Sequence, residues 1–137
     1  MDANEKLNIL WTTNNKDTFF NMLSMYAITS MKRSWWKQVN LILWGASVKL
    51  VAEDTQVQTE ILEMIHSNVS VEACKNCCEN FGVTSIIEKL GIDIKYMGEP
   101  FTEYLKNGEK VYIFYLIHFL FLFYQKLCSE CWLYLGR

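Results

Sequence analysis

The sequence predicts an α/β protein of three layers, α/β/α, built on a mostly parallel five-stranded sheet. Two observations carry this expectation. Short β-prone runs alternate with segments of helical period through residues 6–115, the pattern of parallel strands joined by helical crossovers. One of those runs, Val-Asn-Leu-Ile-Leu-Trp at 39–44, is nearly continuous in apolar side chains, as a strand covered on both faces requires. With 137 residues, of which 51% are apolar, the chain suits one domain with a real core and is too short for two.

The elements follow in order. Lys-Leu-Asn-Ile-Leu-Trp-Thr at 6–12 is a β-prone run. Asn14, Asn15 and Asp17 offer helix caps, and Phe19, Phe20, Leu23, Tyr26 and Ala27 follow at helical spacing. That helix runs to about Arg33, where Lys32 and Arg33 suit a C-terminus. After the 39–44 strand, Gly45 is a stop. Asp54 or Thr55 opens a helix with Val57, Ile61, Leu62 and Ile65 on one stripe. Residues 69–73 read as a strand delivering Cys74 at its carboxyl end. A helical turn at 75–81 closes on Gly82, and another at 83–90 closes on Gly91. Residues 92–96 form a strand, Pro100 marks a helix start, and the helix at 101–106 ends at Asn107-Gly108. A last strand begins at Lys110 and ends near Tyr115.

Beyond that point the composition changes. Nine of the twenty aromatic residues lie from Val111 onward, where only Lys126, Glu130 and Arg137 are charged. The expected organisation is therefore an α/β domain over residues 1–115 and an aromatic, apolar extension over 116–137 that is not an independent domain. The apolar run 111–124, interrupted only by His118, falls short of the roughly 20 residues a membrane span needs. Lengthening it would bury Lys126 and Glu130 in lipid, which argues against a span.

Other classes fall away on charge and pattern. A net charge of −2 leaves no cationic footprint for nucleic acid, and the aromatic content excludes disorder. No Gly-x-Gly-x-x-Gly or P-loop is present. His66 and His118 have no evident carboxylate partner and read as structural. Glu53 and Asp54 read as helix-capping, and Trp35-Trp36 as core or subunit contact, because no basic groove accompanies them. The polar start, residues 1–8, lacks a secretory pattern. Five cysteines, three of them crowded at 74, 77 and 78, suit free thiols in a reducing cytoplasm better than a disulfide framework. Two Cys-x-x-Cys pairs, 74/77 and 128/131, permit zinc without indicating it; no metal and no cofactor is expected.

Cys74 is the candidate nucleophile. At a strand-to-helix junction, a thiol meets unpaired N–H groups and the positive end of the helix dipole, with Lys75 beside it. Such a sulfur can attack another sulfur and hold a covalent adduct. Cys77, three residues on, shares its helical face and could resolve an oxidised or sulfur-loaded Cys74. Cys78 faces elsewhere and reads as packing.

Four segments taken together, Leu-Asn-Ile-Leu-Trp-Thr at 7–12, Trp-Gly-Ala-Ser-Val-Lys-Leu-Val-Ala-Glu-Asp at 44–54, Val-Glu-Ala-Cys-Lys-Asn-Cys at 71–77 and Gly-Ile-Asp-Ile-Lys-Tyr-Met at 91–97, resemble the DsrE/DsrF-like family over about residues 6–112. The likeness is to its small bacterial sulfur-relay-like members. It implies a five-stranded, mostly parallel sheet, a trimeric or hexameric homo-oligomer, and sulfur carried as a persulfide on the cysteine at position 74. Cys77 matches a second cysteine of a family subset. Residues 116–137 match nothing in that pattern. They resemble translation past a lost stop codon in AT-rich DNA, and equally suit an extension covering an oligomer surface or a membrane contact. The expected function is a sulfur carrier or sulfurtransferase-like protein, passing a persulfide from Cys74 to a partner thiol between donor and acceptor proteins. The rival is a non-catalytic oligomeric module that binds a ligand or protein beside Trp44, Ser47 and Cys74.

Overall fold

The computed structural model describes residues 2–114. The expected extension 116–137, with His118, Cys128 and Cys131, lies outside the described residues.

Strand β1 (Lys6–Trp11) opens the sheet. The Asn15 side chain then accepts the Thr18 N–H at 2.7 Å and starts helix α1 (Lys16–Thr18). The rod continues through a π-helical stretch (Phe19–Ser24) into α2 (Met25–Lys32). Phe19, Leu23 and Ala27 are all buried, and Phe19 stacks on Trp11 with ring centroids 4.5 Å apart. Strand β2 (Gln38–Leu43) follows.

Helix α3 (Ala46–Glu53) is absent from the sequence expectations. A single residue, Asp54, separates it from α4 (Thr55–His66) and serves both ends. Its N–H bonds the Leu50 carbonyl at 3.0 Å, and its carboxylate accepts the N–H groups of Gln56 and Val57. Two helices sharing one capping residue show one start signal where two elements exist.

Strand β3 (Ser70–Cys74) runs straight into α5 (Lys75–Phe81). Gly82, at φ +66°, ends α5 with the Val83 N–H bonded back to the Cys78 carbonyl at 2.9 Å, the six-to-one closure that a left-handed glycine allows. Then come α6 (Thr84–Lys89), β4 (Asp93–Lys95), α7 (Gly98–Lys106, with Pro100 in its first turn) and β5 (Lys110–Phe114).

The strand order is β4-β3-β2-β1-β5. Every pairing is parallel, so the sheet is wholly rather than mostly parallel. Strands β1 to β4 step in one direction, and their right-handed crossovers place α1 through α6 on one face. The return from β4 to β5 runs the other way and puts α7 on the opposite face. Side chains alternate accordingly. Leu7, Ile9, Trp11, Val39, Leu41, Leu43, Val71 and Ala73 join the main core with buried groups of α1–α6. Leu10, Ile42, Cys74 and Met97 form a smaller cluster with Phe101 and Tyr104 of α7.

Below that cluster the α7 face is polar. Asn8 donates to Glu109 at 2.7 Å, and Asn40 donates to Asn8 and to Glu72 at 3.1 and 3.0 Å. Lys95 and the Tyr104 hydroxyl also bond Glu72, at 2.9 and 3.0 Å. A row of hydrogen bonds thus crosses the sheet from β4 to the threshold of β5.

Candidate functional site

Parallel sheets gather ligands beyond the carboxyl ends of their strands, where loops diverge. At that edge β3 delivers Cys74, and Cys74 is the residue that precedes α5. Its side chain is only 4% exposed and packs among Leu10, Ile42 and Met97. Cys77 is half-buried and belongs to both apolar clusters, so it sits where the two sheet faces meet. Cys78 is wholly buried in the main core. All three are free thiols.

The loop after β2 forms the other wall. Gly45 adopts φ +69° and ψ −132°, a conformation that costs a side-chain-bearing residue strain. This turn directs the Gly45 N–H to the Cys77 sulfur at 3.3 Å. The turn is braced from within. The Trp44 N–H bonds the Trp11 carbonyl at 3.1 Å and the Ser47 hydroxyl at 3.1 Å, while the Ser47 hydroxyl donates to the Trp11 carbonyl. Ser47 is fully buried by these contacts and serves the loop rather than a ligand. Trp44 meets Phe101 edge-to-face at 5.7 Å, joining the loop to α7.

Burial pushes the Cys77 thiol up; the Gly45 N–H opposes that shift, and the neighbouring Cys74 thiol adds to it. Burial, with the two adjacent thiols, pushes Cys78 up to about 11. Cys78 is therefore a protonated packing group near neutrality.

The positive charge beside Cys74 is not placed as its sequence neighbour suggests. Lys75 lies 3.9 Å from Glu79 and over the Tyr96 ring at 5.0 Å. Lys95 is instead the cross-strand register partner of Cys74. Its ammonium bonds Asp93 at 2.7 Å and Glu72 at 2.9 Å, and these hydrogen bonds, Asp93's first, hold it firmly charged. Burial and the Glu72 carboxylate push the Tyr104 phenol up to about 12, so its hydroxyl stays a donor to Glu72. Glu72, Lys95 and Tyr104 carry no motif. Glu72 and Lys95 show in the sequence only as polar residues at alternate positions of β3 and β4, which reads equally well as a solvent-facing side, and Tyr104 only as a residue of α7.

His66 ends α4, as its helix-end position suggests. Among the described residues no three His, Cys, Asp or Glu groups converge as metal ligands, and no helix is long and apolar enough to cross a membrane.

No family model and no curated protein matches the chain. Solved structures do. The ychN protein from E. coli is 20% identical, with 81% of this chain and 99% of that one covered at a TM-score of 0.59. A protein of unknown function from Methanobacterium thermoautotrophicum is 11% identical, with 80% and 99% covered at 0.62. These two share the fold. A conserved protein of unknown function from Bacteroides thetaiotaomicron is 69% identical, covering 83% of this chain and 98% of that one at a TM-score of 0.81. At that identity over nearly the whole of its relative, the chain belongs to the same family as this conserved Bacteroides protein.

Proposed function

We propose that the protein is a cytoplasmic sulfur carrier of the DsrE/DsrF-like kind, working as a homo-oligomer between a sulfur donor and an acceptor protein. One observation carries the reading. Two free thiols share the sheet's carboxyl edge, Cys74 in an apolar cluster and Cys77 half-exposed beside it with a backbone N–H on its sulfur. The Cys74 sulfur attacks the outer sulfur of a donor persulfide. A new S–S bond forms, the donor leaves as its thiol with the displaced proton, and Cys74 holds the persulfide. Delivery follows when an acceptor thiol attacks the outer sulfur and restores the Cys74 thiol. Cys77 offers a second exit: attack on the inner sulfur gives a Cys74–Cys77 disulfide and expels hydrosulfide, and a dithiol reductant then resets the pair. Apolar walls keep water and stray thiols from the stored sulfur.

Mass spectrometry after incubation with a persulfide donor should show one added sulfur atom. The adduct should be lost in Cys74→Ser and retained, with slower hydrosulfide release, in Cys77→Ser. Wild-type protein that gains no mass would overturn the proposal. The 4% exposure of Cys74 favours a second reading, a binding module whose thiols are incidental. Alkylation separates the two: a Cys74 that reacts no faster than a model thiol after donor treatment supports binding.

A further inference from the structure

Among the described elements, α7 alone covers the Cys74 side of the sheet, and it is lightly held. None of its nine residues is buried, whereas α3 buries four and α4 three. Its apolar contact comes from Phe101 and Tyr104, packed against the small cluster, and from Met97 just ahead of the helix. Apart from the turns at its own ends, α7 reaches the rest of the described protein by hydrogen bonds from one atom. The Tyr104 hydroxyl lies 3.0 Å from each Glu72 carboxylate oxygen; the bond from Thr102 to the Gly98 carbonyl is internal to the helix. The Lys6 ammonium, 4.2 Å over the Tyr104 ring, leans on the same side chain. The other walls around Cys74 are fixed. Leu10 and Ile42 stand on paired strands, and Trp44 sits in the loop that the Trp11 carbonyl and the Ser47 hydroxyl brace. A thiol as enclosed as Cys74 meets a reagent only when part of its surroundings opens, and the part with the fewest buried contacts opens first.

We propose that α7 is a gate over Cys74 and that Tyr104 is its latch, a positioning residue that sets how often the thiol is uncovered. The gate's part in sulfur transfer rests on the carrier reading above; the motion itself does not. When the Tyr104–Glu72 bonds break, Met97 and Phe101 lift from the cluster and a donor sulfur can reach Cys74. When they re-form, the stored persulfide is shut away from solvent. Glu72 keeps Lys95 and Asn40 as donors while the gate is open, so opening leaves no unpaired carboxylate and its cost stays low.

The test is iodoacetamide labelling of the full chain, read on two tryptic peptides. Residues 50–75 hold Cys74 alone, and residues 76–89 hold Cys77 and Cys78. Tyr104→Phe keeps the ring and removes the latch. It should speed labelling of Cys74 about tenfold, while Cys78, wholly buried on the six-helix face, labels as slowly as in wild type. Tyr112→Phe, which removes a hydroxyl from the edge strand, should change neither rate. In wild type, labelling of Cys74 should depend far less steeply on urea than labelling of Cys78, because a local opening exposes little surface. Equal acceleration of Cys74 and Cys78, or one urea slope for both, would mean that only global unfolding uncovers the thiol, and would overturn the gate. An unchanged Cys74 rate in Tyr104→Phe would overturn the latch. Persulfide loading of wild type is read separately by mass: a chain that gates Cys74 but gains no sulfur keeps the gate and loses the carrier reading.

Discussion

The two faces of the sheet are built on different principles. The face under α1 through α6 is hydrocarbon, closed by stacked rings such as Trp11 on Phe19. The face under α7 carries Asn8, Asn40, Glu72 and Lys95, tied to one another and to Tyr104. Apolar packing is non-directional and tolerant, and its energy scales with area. A hydrogen-bonded row is directional, and each member depends on the next. The first face holds the fold together; the second sets where α7, and with it the wall around Cys74, sits. The thiols divide along the same line: Cys78 belongs to the apolar core, Cys74 to the α7 side, and Cys77 to both.

That contrast can be broken from either side. Phe19→Ala empties a fully buried ring site on the six-helix face and should cost about 3–5 kcal/mol, read as a lower urea midpoint. A loss below 1 kcal/mol would mean that this face does not dominate stability. Alkaline titration probes both faces at once. The Cys78 thiol rises from 9.0 to about 11 on folding. Between those values the unfolded chain binds fewer protons than the folded one, so stability falls as pH rises, by about 2–3 kcal/mol over the window. Tyr104, raised from 10.0 to about 12, extends the same decline by one pH unit on the other face. Cys78→Val should flatten the curve between pH 9 and 10 and leave the later decline; an unaltered curve would refute the assignment. Glu72→Leu strips Lys95, Tyr104 and Asn40 of a shared acceptor. It should cost about 1–3 kcal/mol, less than the ring deletion, because Lys95 keeps Asp93. Faster alkylation of Cys74 in that variant would show that the polar row holds the thiol's cover in place.

The apolar face was legible in the residues because periodicity reports it: Phe19, Leu23 and Ala27 announce a helix, and residues 39–44 a buried strand. Cys74 was legible for the same reason, since a strand ending before a helical turn has one position between them. Helix α3 was not. Its eight residues share Asp54 with α4, and one cap reads as one helix start. The polar row was not legible either. Asn8 lies in a β-prone run and Asn40 in one that reads as covered on both faces, and neither names a partner until the direction of the last crossover puts α7 above them. The Gly45–Cys77 contact spans 32 residues, and no local pattern encodes it. Lys75 misleads through adjacency, because its side chain runs along α5 to Glu79 while Lys95 arrives from the next strand.

The position of β5 governs the timing of assembly. β1 is an interior strand, yet one of its two neighbours is the last strand described, and the Asn8–Glu109 bond joins residues 101 positions apart. At about 5–20 residues per second, β1 leaves the ribosome roughly 5–20 s before its outer partner exists. During that interval a nascent β4-β3-β2-β1 sheet presents an open parallel edge, with Asn8 lacking its carboxylate acceptor. Until residue 114 is made, the sheet's edge is the mostly apolar and later buried β1, a stickier edge than β5 with its exposed side chains.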